Sequence, residues 1–585
     1  MIGDIRDIAD GAAYDIVVVG AGGAGMAAAL FAAIDGLSVL LVERTEYLGG
    51  TTAYSGATTW IPNTQHKASV NGDDSPEKAA AFLRNVVGNH SSEAMRDAFL
   101  THGPAAIARL EAETDVHFRA RPLHPDYVQE VEGATVRGRA LEPLPFDGRK
   151  LGDDLALVRP PIPEFTVLGG MMVDRDDIPH LLNLKKSWKS FVYSMRIVGR
   201  YGIDRIRRGR GTRLLMGNAL IGRLLYSLHK RVVDILVKTR VEELVRGRAG
   251  VEGLVITDGA IRRTIVARHG VVMATGGFTR NPKRRAELLP SAAIHSPTAP
   301  GATGEMQDLA LTAGARFGTS GCDNAFWAPM SVRRRPDGSE AVFPHFVLDR
   351  GKPGFVTVNK AGRRFVNEAT SYHQFVQAMF RTNEKTPCIP AFLITDSTGL
   401  QKYGIGMVRP GGKGLKPFLE DGYLTEAPTL TELAGKLDID TAGLEETVSR
   451  MNGYAVSGVD PEFGRGTTPY HHVNGDAAHK PNPNLGPIGT APFYAVRLYP
   501  GDIGASTGLV TDEHARVLGP DDKPIGGLYA CGNDMQSIMG GTYPGPGITI
   551  GPGITFAYIA ARHARERIVG ETSSPTRELA GEIGQ

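Results

Sequence analysis

The stretch GGTYPGPGITIGPG, residues 540–553, holds the groups best suited to chemistry. Tyr543 is its only ionisable side chain, and no Arg, Lys or His occurs between Pro524 and Arg562. Such a loop cannot clamp carboxylates. It suits a neutral carbonyl: the Tyr543 hydroxyl and the Gly547 N–H together would polarise one ketone oxygen, as an oxyanion hole does. The Pro and Gly content argues against a membrane helix, because these residues break helices and leave backbone groups unpaired. A loop that approaches something flat and apolar fits better, since Gly has no Cβ to obstruct it.

The elements that must position this loop begin at the other end of the chain. YDIVVVGAGGAGMAAALFAAIDGLSVLLVER, residues 14–44, predicts a strand at 15–19, a helix to Ile34 and a second strand at 38–42. Gly20, Gly22 and Gly25 stand in GxGxxG spacing at the strand–helix turn, with Gly23 and Ala24 between them. That context makes a dinucleotide fingerprint: a tight turn, a pyrophosphate at the helix N-terminus, and close helix–strand packing. Glu43, followed by Arg44, ends the second strand, where a carboxylate can take ribose hydroxyls.

The segment ERTEYLGGTTAYSGATTWIPN, residues 43–63, resembles the fumarate reductase/succinate dehydrogenase flavoprotein family. The resemblance implies FAD, with Gly50, Thr51, Thr52, Ala53, Ser55 and Gly56 lining the pyrophosphate and flavin. No His occurs from Glu43 to Gln65, so noncovalent FAD is expected. It also places Val241, in VDILVKTRVEELV, beside the adenine. Ala274, Thr275, Gly276 and Gly277 form a second crossing, and Gly532 and Asn533 a strand end that returns to the flavin. Gly547, Ile548 and Ile550 bring the N-terminus of a helix at 554–568 to the flavin edge, where N–H groups favour negative charge. The fold class is α/β: a Rossmann-like FAD-binding domain split into 1–325 and 501–585, around an inserted α+β cap or catalytic domain at 326–500.

TYPGPGITIGP is similar to a loop of the 3-ketosteroid Δ1-dehydrogenases, in which a Tyr and the Gly four residues later hold the C3 carbonyl. Tyr543 and Gly547 match that spacing. GRRFVNEATSYHQF matches a second pattern and places Tyr372 as the base. DYVQEVEGATVRGRALEP places Tyr127 in a third, with Gly133-Ala134 in place of the usual Gly pair. The implied reaction takes a proton from C2 to Tyr372 and a hydride from C1 to flavin N5. A hydrogen bond from Tyr127 is expected to favour the Tyr372 phenolate, and a phenolate is less costly to desolvate in an apolar pocket than a carboxylate. The alternatives are a 3-oxo-5α-steroid 4-dehydrogenase, a fumarate-reductase-like C=C reductase, or an FAD-binding electron-transfer or docking subunit without a substrate. The missing Arg/His clamp argues against the reductase.

The remaining features are less specific. The 585 residues suffice for two or more domains, and a net charge of +2 implies no pull toward nucleic acid. Three Cys without a CxxC support neither a disulfide framework nor a zinc site, and a reducing, cytoplasmic setting is expected. No signal peptide is read at the N-terminus. His471, His472 and His479 lie close in sequence, but no Cys or carboxylate pattern completes a metal site, and none is expected. Leu181 to Arg213 is strongly basic, with Leu181, Leu184, Trp188, Phe191, Met195 and Val198 at helical spacing. This reads either as a helix lying peripherally on anionic lipid or as one packed on the flavin domain with a solvated basic face. The electron acceptor is not legible.

Overall fold

The computed structural model describes residues 2–573 except Ala249 and Leu348. Among these residues, a nine-stranded sheet carries the N-terminal fingerprint. Ile2–Gly3, Asp234–Leu236, Val39–Val42, Ala12–Val19, Arg262–Met273 and Pro524–Ala530 lie side by side as parallel neighbours. Ile16 to Val19 and Val39 to Val42 are buried, as parallel strands covered on both faces must be. Helix Gly23–Ile34 packs on these strands, with Met216–Lys230 and Ile550–Ser573 against it. The strands' carboxyl ends share one edge, where Gly20, Glu43, Ala274 and Cys531 follow directly. Ligands bind at such an edge in open α/β sheets.

The stretch VDILVKTRVEELV, which carries Val241, forms two strands, Asp234–Leu236 and Arg240–Gly247, since Lys238 turns the chain at φ 53°. The second belongs to an antiparallel extension with Gly250–Thr257.

A six-stranded sheet forms the second unit, in the order Glu340–Pro344, Ala325–Arg334, Phe493–Ala505, Ala391–Asp396, Phe355–Val358, with Thr425–Ala427 also pairing with Phe493–Ala505. Its central strand Phe493–Ala505 runs through residue 500, so this sheet extends past the boundary expected from sequence. Helix Tyr372–Asn383 packs on Ala325–Arg334. Of the expected last segment, 501–585, residues 574–585 lie outside the described residues.

The basic stretch is two helices, Asp177–Leu182 and Trp188–Arg208, not one. On the longer one Ser190, Ser194, Tyr201 and Asp204 are buried, while Trp188 is 78% and Ile206 88% exposed. The buried face is mostly polar: Ser190 Oγ meets His180 at 3.1 Å, and Asp204 takes the Thr212 N–H at 3.1 Å. The expectation of an apolar face turned to the flavin domain fails here, because those hydrogen bonds claim the inner face.

Candidate active site

Gly20 ends the first strand at φ +102°, and a Cβ there would stand 2.4 Å from the Ala274 carbonyl oxygen. Only Gly permits this turn. Gly25 packs on the Gly20 backbone one helical turn later. A continuous cavity of about 590 Å³ opens beyond this edge. Gly20, Gly22, Gly23, Ala24, Glu43 and Arg44 line it. Gly50, Thr51, Thr52, Ala53, Ser55 and Gly56 do so too, as do Val241, Ala274, Thr275, Gly276, Gly532 and Asn533.

Gly277 and Ile548 depart from the expected set. Gly277 backs onto the Asn533 carbonyl and donates its N–H to Asp534 at 3.0 Å, while Ile548 is buried in the hydrophobic core. Asp534, which motif reading passed over, joins the two crossings. Its carboxylate also accepts from the Thr275 N–H and hydroxyl.

The donor set fits FAD. The Glu43 carboxylate accepts from the Ala21 N–H at 2.9 Å and from the Thr45 N–H and hydroxyl at 2.9 and 2.7 Å, which leaves lone-pair capacity for a ribose hydroxyl. A Cβ on Gly22 would meet nothing within 4 Å, so the start of helix Gly23–Ile34 faces open space in which a pyrophosphate can meet the helix N-terminus. Gly547, Thr549 and Ile550 present the last helix's N-terminus to the same cavity.

Three tyrosines from separate elements converge there. Tyr127 stands on a loop fixed by its neighbour Asp126, which accepts from Trp60 Nε1 at 2.8 Å, Arg139 at 2.7 Å and the Thr135 N–H at 3.0 Å. The Tyr127 N–H donates to the Pro544 carbonyl at 2.8 Å, tying this loop to the one that carries Tyr543. Tyr372 is the first residue of its helix, which Ser371 caps by accepting from the Gln374 N–H at 3.3 Å. The loop before it is held by a buried cluster in which Arg364 and Arg465 share Glu368.

The Tyr127 and Tyr372 hydroxyl oxygens are 3.3 Å apart. The Tyr543 ring stacks on Tyr127 at 5.7 Å between centroids and meets Tyr372 edge-on at 5.0 Å. Tyr127, Tyr372, Tyr543 and Gly547 all line the cavity. Gly547, at φ +94°, has its carbonyl held by the Trp60 N–H at 3.2 Å. Its own N–H has no protein acceptor among the described residues.

Burial pushes Tyr372 well above the ordinary phenol pKa, and Tyr127 and Tyr543 beside it push it further. Tyr127 is raised in the same way, and Tyr543 to about 12, mainly by burial. The contact with Tyr127 therefore does not favour a phenolate here. Burial and the hydrogen bond with Tyr127 act in the same direction, toward the neutral phenol.

Sequence reading missed Tyr470, while Phe346 comes from FPHFVL, a stretch that reads from sequence as either pocket lining or core. The Phe346 ring meets Tyr372 at 5.0 Å. Tyr470 lies 4.8 Å from the Tyr127 ring, within the His-rich stretch PYHHVNG. Those His residues serve the loop backbone: His472 Nε2 meets the Gly466 carbonyl at 2.8 Å and His479 Nε2 that of Leu485 at 2.8 Å.

Fold and cavity together define a flavoprotein oxidoreductase with FAD as its cofactor. Residues 15–550 match the FAD binding domain family, to which the chain belongs, within the branch that includes the 3-ketosteroid Δ1-dehydrogenases. It is 37% identical to 4-oxocyclohex-2-ene-1-carboxylate 5-dehydrogenase of Sinomonas cyclohexanicum, over 94% of this chain and 93% of that one. It is 36% identical to 3-oxosteroid 1-dehydrogenase of Mycolicibacterium smegmatis, over 94% and 97%. The structure resembles 3-ketosteroid Δ1-dehydrogenase from Sterolibacterium denitrificans in complex with 1,4-androstadiene-3,17-dione. That match has a TM-score of 0.87 at 34% identity and covers 95% of this chain and 100% of that one.

Proposed function

We propose that this chain introduces a C1–C2 double bond into a 3-oxosteroid. The observation that carries the reading is the meeting of Tyr127, Tyr372 and Tyr543 beside the unpaired Gly547 N–H, in one cavity with the FAD-binding residues. The Tyr543 hydroxyl and the Gly547 N–H donate to the ketone oxygen and acidify C2. The C2–H bond breaks heterolytically: its proton goes to the Tyr372 oxygen, and its electron pair becomes enolate. When bound, FAD supplies a two-electron acceptor for the hydride from C1, and C1=C2 forms. Tyr372 must be ionised to accept the proton, and Tyr127 is the partner that hydrogen-bonds it. The FAD-binding part lies before Ala325 and after Ala505, and the cap is the unit between them, whose sheet includes Ala325–Arg334 and Phe493–Ala505.

The chain is proposed to work in the cytoplasm, peripherally on the membrane. Trp188, Phe191, Val192, Met195, Ile203 and Ile206 are exposed on helix Trp188–Arg208, flanked by Lys185, Lys186, Lys189, Arg196, Arg207 and Arg208. Exposed apolar side chains within a basic rim suit an anionic lipid surface. No helix among the described residues is long and apolar enough to cross a membrane.

Anaerobic mixing of the holoenzyme with androst-4-ene-3,17-dione should bleach the visible flavin absorbance and yield the 1,4-diene. The 3-hydroxy counterpart, with no carbonyl to polarise, should not. Rapid bleaching by the 3-hydroxysteroid overturns the reading.

A further inference from the structure

Beside Tyr127 the cavity has a polar pole to which the reaction above gives no role. Arg175 lines it and, among the described residues, forms no ion pair and donates no hydrogen bond. Much of its surface is accessible, yet protein crowds it enough that burial is the main cause lowering its pKa. Tyr470 lines the same pole, and its buried hydroxyl has no hydrogen-bond partner. His124 lines it too, with an unpartnered buried Nδ1. Burial, then Arg175 and Arg121, pulls the His124 pKa down to about 3, so the imidazole is neutral.

The carboxylates within electrostatic reach of this group, Glu142 toward Arg175 and Asp349 and Glu368 toward Arg350, make no ion pair with either Arg. Arg350, fully buried and within electrostatic reach of Tyr470, donates to the His345 and Glu368 carbonyls and to no carboxylate. Lys352 likewise donates to the Gly475 carbonyl. The nearby Glu142 is already paired with Arg121 and Arg119, and Asp174 accepts the Asp176 and Asp177 N–H groups. An unpartnered guanidinium and an unpartnered buried hydroxyl lining one cavity can together take a carboxylate in a charge-assisted contact.

We infer that Arg175 and Tyr470 form a carboxylate subsite for the substrate whose ketone meets Tyr543 and Gly547. This rests on the ketone reading above and narrows it: the substrate class is a cyclic ketone that also carries a carboxylate. The acid sits either on a single ring or on a steroid side chain.

Binding to the oxidised holoenzyme, read from perturbation of the flavin absorbance, tests this without turnover. One pair of probes is 4-hydroxybenzoate and its methyl ester. The other is 3-oxoandrost-4-ene-17β-carboxylate and its methyl ester. The acid of at least one pair should bind about a hundredfold more tightly than its ester, as expected for a charge-assisted contact in an enclosed site. The pair that shows the preference identifies the source of the carboxylate. Arg175→Met should bring the acid-to-ester ratio close to one, and Tyr470→Phe should lower it about tenfold. Either variant suffices if the other fails to retain FAD. No preference for either acid overturns the subsite. So does a ratio that both variants leave intact, or an Arg175→Met variant that slows flavin reduction by acid and ester alike without moving the binding ratio. An acid preference that depends on Arg175, with no ketone reducing the flavin, would instead refute the reaction and leave the subsite standing.

Discussion

Gly547→Ala adds one methyl group at the tightest point of the catalytic loop. Its Cβ would lie 2.0 Å from the Thr58 carbonyl oxygen, 2.4 Å from that carbon and 2.8 Å from the Thr59 nitrogen. These are backbone atoms, so no side-chain rotation relieves the overlap. Reaching even a 3.0 Å approach requires a shift of 1.0 Å, the difference between 3.0 and 2.0 Å. The φ of +94° adds roughly 1–2 kcal/mol of backbone strain. The shift pulls on the Trp60 N–H bond to the Gly547 carbonyl at 3.2 Å, and on the Tyr127 N–H bond to the Pro544 carbonyl at 2.8 Å. Both ketone donors and the supporting Tyr127 therefore move together. Misplacement by about 1 Å costs on the order of a hundredfold in rate. The assay is single-turnover flavin reduction by a 3-ketosteroid, with FAD content and thermal midpoint measured in parallel. Gly435→Ala is the control, since its Cβ meets nothing within 4 Å inside helix Leu430–Leu437. Reduction at the normal rate in Gly547→Ala, with FAD retained, would refute the tight-packing argument.

The raised pKa of Tyr372 gives a pH profile. The base works only when ionised, so kcat/KM should climb through neutral and alkaline pH and still be rising at pH 10, the ordinary phenol value. A plateau near neutrality would assign the base elsewhere. Tyr372→Phe should slow flavin reduction by about two to four orders of magnitude while FAD stays bound; an unchanged rate removes Tyr372 from the reaction. Tyr543→Phe should slow hydrogen–deuterium exchange at C2 by roughly two to three orders of magnitude, because exchange requires the enolate and not hydride transfer. Full exchange in that variant would mean the ketone is held elsewhere. Sedimentation with anionic vesicles should weaken with salt and with Trp188→Ala; no binding at low salt would leave helix Trp188–Arg208 without a lipid role.

Much of the flavin-binding part was legible from local rules. Gly20, Gly22 and Gly25 mark a turn, an open approach and a packing contact that depend on a few neighbouring residues, so spacing reveals them. The apolar run from Ile16 to Val19 announces a strand covered on both faces. Tyr372 and Tyr543 were singled out through surrounding motifs, since a lone Tyr carries no local signature, and the fold places both in the cavity. The basic segment misled because helical spacing shows which residues share a face, not which face turns inward. Ser190 and Asp204 took the inner face through His180 and Thr212, which flank the helix on either side.

By itself, then, the sequence determined the nucleotide-binding edge, the split around an inserted unit and an uncharged loop unable to clamp carboxylates. Tertiary structure alone decided that residues 127, 372, 470 and 543 share one cavity, because the loops and helices that carry them lie far apart in the chain. It also set the direction of their titration: burial raises each phenol above its ordinary pKa, and burial is not written in any one stretch of residues. The same holds for Arg175. In sequence it is an Arg set between Asp174 and Asp176, ahead of the basic stretch, and only the fold leaves it facing a cavity without an ion pair among the described residues.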